Sequence, residues 1–179
     1  MRKMIALSAM ALLIPAAAAS AQLTFTTPSN EQARAPRPAR ANGPSLELAV
    51  EAAQLAVKTC AAKGLKVTSV VVDSAALPVV VLSGDGAAAI TQSIGMGKAV
   101  SSVNIGMDSG DIAEKAKTDT ALAEKLAANP QMGPQRPGGI VIKNGSGVIG
   151  AIAVSGAPSG AIDAECARAG LAAIAGRLG

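Results

Sequence analysis

The chain has 179 residues, half of them hydrophobic and 16% charged, with a formal net charge of +4; that length suits one domain. It contains no His, Tyr or Trp, and its single aromatic residue, Phe25, stands near the N-terminus. These absences exclude Ser-His-Asp and Cys-His catalysis and imidazole metal ligation. They also exclude a stacking platform for single-stranded nucleic acid and an aromatic cage for a cation.

The first 21 residues read as a cleaved secretory signal. Arg2 and Lys3 form a basic start, Ile5 to Ile14 a short apolar run, and Ala19-Ser20-Ala21 a small-x-small cleavage site. The run is shorter than the ~20 residues a membrane span needs. The chain is therefore expected to be periplasmic or secreted and not membrane-spanning. Loss of Arg2 and Lys3 lowers the net charge to +2, too near neutral for a nucleic-acid partner.

Residues 22–44 read as a disordered spacer, with Arg34, Arg37 and Arg40 interleaved with Pro36 and Pro38 and no apolar periodicity. The domain is expected over 45–179. Ser45 is placed to cap a helix whose apolar positions Leu48, Ala52, Leu55 and Ala56 recur at helical spacing and which ends at Gly64. Lys66–Asp73 and Val79–Ser83, rich in valine and joined by a turn through Pro78, read as an antiparallel hairpin. A helix is expected from about Ala87 to Ser102, where Gly95 and Gly97 suggest close packing against another backbone.

A third helix is expected from Ser109 to Ala128, capped by Ser109 and Asp111 and stopped by Asn129-Pro130. A Gly/Pro-rich loop follows, Gln131 to Gly139. Ile140–Lys143 and Val148–Ser155 make a second hairpin around Asn144-Gly145-Ser146-Gly147, and a last helix runs from Gly160 to Arg177. The order α-β-β-α-α-β-β-α implies an α+β domain, an antiparallel sheet carrying helices. Cys60 and Cys166 both fall on predicted helices. An oxidising compartment permits a disulfide between them, and two small buried apolar side chains are the alternative.

Several segments together resemble the GlcG/HbpS (haem-binding-like) family. They are Val71-Val72-Asp73, Gly84-Asp85-Gly86-Ala87, Gly97-Lys98-Ala99, Gly138-Gly139-Ile140-Val141-Ile142, and Gly147 through Ala157 leading into Asp163-Ala164-Glu165-Cys166-Ala167. The resemblance spans roughly residues 45 to 179. It implies a profilin-like sheet of about five antiparallel strands, the fifth near Ala88 to Ile90. It also implies a homo-oligomer, and for exported members links to haem binding, iron binding and redox sensing; other members are encoded with small-molecule catabolism.

Haem is the cofactor the resemblance implies. Lys98-Ala99-Val100-Ser101 is similar to the family's Lys-Ala-Tyr-Thr segment, which puts Ser101 at the hydroxyl position that meets haem, with Val100 where the family has tyrosine. Met96, Met107, Met132 and Lys98 are further candidate iron ligands, since thioether ligation has precedent; adaptable packing is the plainer role for Met96 and Met132. Asp111 and Glu114, spaced i,i+3, share a helix face and resemble surface iron sites of the family, while the plainer role is to complement a helix dipole. The resemblance also implies that the Gly/Pro loop, with Asp85, Lys98 and Arg136, faces a cleft for a carboxylate or propionate, while turn geometry and solvated charge are the plainer roles. The glycines of Gly147–Gly156 lack the Gly-Lys-Ser/Thr of a phosphate loop. The leading expectation is an exported, oligomeric small-ligand binder. The rival is an accessory or catalytic protein for small hydroxy or keto acids, with Asp73 or Asp85 as acid-base groups helped by Lys98. A purely structural oligomer is the third.

Overall fold

The computed structural model describes residues 41–178, Ser146 excepted. The expected signal and most of the expected spacer lie outside the described residues. Residues 41–44 rest on the domain: the Asn42 carbonyl accepts a hydrogen bond from Ser74 N, and Pro44 is buried.

Helix α1 (Leu46–Ala61) begins where Ser45 Oγ accepts from Leu48 N at 3.3 Å, supplying one of the amide partners a helix start lacks. Its buried stripe is Ala49, Ala52, Ala53, Ala56 and Cys60, small residues at helical spacing. Strands β1 (Thr68–Asp73) and β2 (Pro78–Ser83) form the first hairpin, and β3 (Gly139–Asn144) and β4 (Gly147–Ser155) the second. The sheet is antiparallel throughout, in the order β2-β1-β4-β3. The two central strands are β1 and β4, and they are nearly wholly buried, as strands covered on both faces should be.

The sheet has four strands among the described residues, not five. Ala88 to Ile90 do not pair. They turn directly into helix α2 (Ile90–Ile105), with Thr91 N and Thr91 Oγ1 both donating to the Ala88 carbonyl. The predicted helix over 109–128 is two helices, α3 (Ser109–Lys115) and α4 (Thr120–Ala127). Asp119 explains the break. It takes an extended conformation (φ −106°, ψ 93°) and its carboxylate accepts from Leu122 N at 2.9 Å, so it starts a second helix. Ser109 and Asp111 do not cap α3, because residue 108 is the cap position and the Ser109 hydroxyl is used elsewhere.

Helix α5 (Gly160–Ile174) lies beside α1 on one face of the sheet, and α2 crosses β4, β1 and β3 on the other. On the first face, Ala49 to Ala56 meet Ala164, Ala167 and the branched side chains of Val71, Ile142, Ile152 and Val154. Without bulky side chains the two helices approach to backbone contact: a Cβ at Gly170 would collide with the Ala52 carbonyl oxygen and lie 3.0 Å from Ile152 Cδ1. Cys60 and Cys166 form a disulfide across this seam, with Cα atoms 5.7 Å apart. The α2 face is built differently. Its apolar cluster is Val70, Val72, Ala99, Ala151 and Ala153, and buried polar groups surround it: Thr68, Thr91, Lys98, Ser101, Ser102 and Ser155.

Candidate functional site: a buried lysine–aspartate pair beneath a glycine loop

The site is set by where α2 meets the loop that precedes β3. Gly97 touches Gly133, and a Cβ at Gly97 would stand 2.7 Å from Gly133 Cα, so glycine there is required by backbone-to-backbone packing, as the sequence suggested. Ser109 holds the far end of the loop. Its hydroxyl donates to the Arg136 carbonyl at 2.6 Å and accepts from Gly139 N at 2.8 Å, within a fully buried position. Gly138, at φ +131°, then passes directly over Lys98, where a Cβ would stand 2.6 Å from Nζ.

Lys98 is 2% exposed. Its ammonium donates to Asp163 Oδ2 at 2.7 Å and to the Val154 carbonyl at 3.0 Å. The other oxygen, Asp163 Oδ1, accepts from Ala157 N at 3.0 Å. The pair therefore ties α2 to β4 and to the first turn of α5. Burial pushes the Lys98 ammonium below the usual lysine range and the Asp163 carboxyl above the usual carboxylate range; in each case the partner's hydrogen bond and charge act against that push. The pair opens on a cleft of about 170 Å³, lined also by Thr91, Arg136, Ser155 and Ser159.

The structure separates the residues that the sequence singled out. Lys98 and Arg136 share this cleft. Asp85 does not: it lies with Lys58, Lys66 and Leu82 in a different cleft of about 520 Å³ between α1 and β2. Asp73 is buried at the far end of β1, where Oδ1 accepts from Ala75 N and Leu77 N and shapes the hairpin turn. Neither aspartate pairs with Lys98; Asp163 does. The Ser101 hydroxyl is fully buried, accepts from Gln135 Nε2 at 3.1 Å, and has the Gly97 carbonyl (2.8 Å) and the Met132 carbonyl to donate to, so it is engaged inside the protein. Met132 is 5% exposed. Met96 packs against the Val70–Val72 cluster while staying half-buried, and Met107 is half-buried too.

Asp111 and Glu114 line a third cleft, of about 320 Å³, with Asp108 and Arg168. Glu114 is bound by Lys117 at 2.6 Å, and Arg168 lies 3.2 Å from Asp108. Among the described residues no group of three or more His, Cys, Asp or Glu is arranged to hold a metal ion. Sequence reasoning passed over Asp163 and Ser155 as site residues. Asp163 sits in the first turn of α5, where an acidic residue has the ready explanation of complementing the helix dipole.

A four-stranded antiparallel sheet, helices on both faces and a polar cleft where one helix meets a glycine loop define a small α+β domain. The chain belongs to the HbpS-like family: the model described as haem degrading protein HbpS-like matches residues 45–172. HbpS of Streptomyces reticuli, solved as a double mutant, is 30% identical, with a TM-score of 0.68 over 79% of this chain and 94% of that one. The Klebsiella pneumoniae protein ORFY is 22% identical, with a TM-score of 0.67 over 77% and 94%. A complex of PduOC with haem is 19% identical, with a TM-score of 0.68 over 74% and 95%. The last two likenesses show the shared fold alone. No curated protein sequence matches significantly. No helix among the described residues is long and apolar enough to cross a membrane.

Proposed function

We propose that the chain is an exported haem-binding protein that holds the porphyrin on the α2 side of the sheet, between copies of itself. The observation that carries this reading is its membership of the HbpS-like family, supported by a haem complex that shares the fold. The geometry narrows the iron ligands. Ser101 and Met132 are committed to internal contacts and Lys98 is held as an ammonium with no lone pair for iron, which leaves the half-buried thioethers of Met96 and Met107. A porphyrin is too large for the 170 Å³ cleft, so the ring lies on the surface. Val81 is opposite Val70 in the strand register, hence on the α2 face, and is 43% exposed; Ile90 at the start of α2 is 62% exposed. The Cys60–Cys166 bond supports an oxidising compartment and so export.

Haemin titration tests this directly. The protein has no Trp or Tyr, so the apoprotein contributes almost nothing near 280 nm. A saturable Soret band is expected, displaced by Met96→Ala or Met107→Ala according to which sulfur is the ligand. A sample that cannot be titrated overturns the reading. One observation favours the rival role toward small hydroxy or keto acids: the cleft holds an ionisable pair, Lys98 and Asp163, beside the Arg136 cation.

A further inference from the structure

We infer that the cleft bounded by Lys98, Arg136, Ser155 and Asp163 is a receptor for a single carboxylate group. Three observations converge on it. The first is unspent hydrogen-bonding capacity in a buried place. An ammonium has three N–H groups; Lys98 gives one to Asp163 and one to Val154, and the third has no partner among the described residues. Ser155 is 4% exposed, lines the same cleft, and its hydroxyl also makes no hydrogen bond among the described residues. Lys98 and Ser155 thus keep donor capacity at the wall of the cleft.

The second is charge. Arg136 is exposed and its guanidinium makes no ion pair or hydrogen bond among the described residues, although its backbone is held in place by Ser109. Lys98 and Asp163 cancel, so Arg136 leaves the cleft with one net positive charge and a planar fork suited to a carboxylate. Asp163 in the wall repels a second anionic group, which favours a monocarboxylate. The third is size. At about 30 Å³ per water, the cleft of about 170 Å³ holds five or six waters' worth of matter, the scale of a two- to four-carbon acid or of one propionate arm.

A free small acid and a haem propionate present the same group, and one experiment separates them. The full chain is labelled with ¹⁵N and titrated with sodium pyruvate, with neutral pyruvamide as the control. Saturable shifts are expected at the amides of Ser155, Ala157, Ser159 and Gly160, with pyruvamide silent. Arg136→Gln should weaken binding about 10- to 100-fold, the range for one charged hydrogen-bonding group, while Asp85→Asn, in the other cleft, should leave it unchanged. If pyruvate is inert, haemin is compared with its dimethyl ester: tighter binding of the diacid, lost in Arg136→Gln, assigns the cleft to a propionate. The inference is overturned if pyruvate and pyruvamide act alike, if Arg136→Gln leaves pyruvate binding unchanged, or if pyruvate is inert and haemin binding ignores both Arg136 and esterification. In that last case haemin still binds, so the haem reading survives the loss of this one.

Discussion

The two faces of the sheet solve different problems with the same small residues. On the α1/α5 face, alanines and glycines bring two helices together over a branched aliphatic floor, and a disulfide pins the seam. On the α2 face, alanines and glycines bring a helix and a loop together just as closely, but the space between is filled with hydroxyls and one ion pair. In a chain almost without aromatic side chains, close backbone approach replaces bulk as the source of packing. Buried polar groups gather mainly on the α2 side, where the cleft is, while the α1/α5 side of β1 buries the Ser69 hydroxyl without a partner among the described residues.

Breaking the ion pair should have the largest effect. Asp163→Ala leaves the Lys98 ammonium buried and without its carboxylate, and is expected to lose about 3–5 kcal/mol in urea unfolding. The double variant Lys98→Met/Asp163→Leu should recover most of that loss, since apolar pairs of similar volume commonly replace buried ion pairs without penalty. A double variant as unstable as the single one contradicts this account of the α2 face. On the other face, replacing Cys60 and Cys166 by Ala opens a covalent link between residues 106 apart, and about 2–5 kcal/mol should go with it. Equal unfolding midpoints with and without a reductant would show that the seam holds by packing alone.

Gly170→Ala sharpens the contrast. The new methyl meets the Ala52 carbonyl, a rigid backbone atom, and forcing α1 and α5 apart should cost about 1–3 kcal/mol by thermal unfolding. The smallest effect is expected on the polar face and with the opposite sign. Ser102 Oγ is buried without a hydrogen-bond partner. Ser102→Ala removes that unmet group and should stabilise the protein by about 1 kcal/mol, with the Tm raised rather than lowered.

Much of this architecture was legible in residue order. Valine runs and the Asn144-Gly145 turn identify both hairpins, and the Ser45 cap locates α1. These are local signals, carried by neighbours within a few residues, and tertiary packing left them standing. The reading failed where a local preference competes with a long-range one. An unbroken helix from 109 to 128 is locally reasonable, yet Asp119 restarts it and the Ser109 hydroxyl serves a loop 27 and 30 residues away instead of a cap. The expected strand at Ala88 to Ile90 is a helix entry.

The candidate site shows the same division more sharply. The glycines that let backbones meet are legible in residue order, because glycine in a helix interior is an anomaly visible locally, and the family resemblance pointed to Lys98 and Arg136. Its partner Asp163 is 65 residues from Lys98, and Ser155 belongs to a strand whose pattern reads as ordinary. Asp85, grouped with Lys98 and Arg136 from the family resemblance, faces another cleft. Secondary structure is decided by short-range preference, and the chain states it openly. Which polar groups share a wall depends on how two helices and a loop close over the sheet, and only the folded protein decides that.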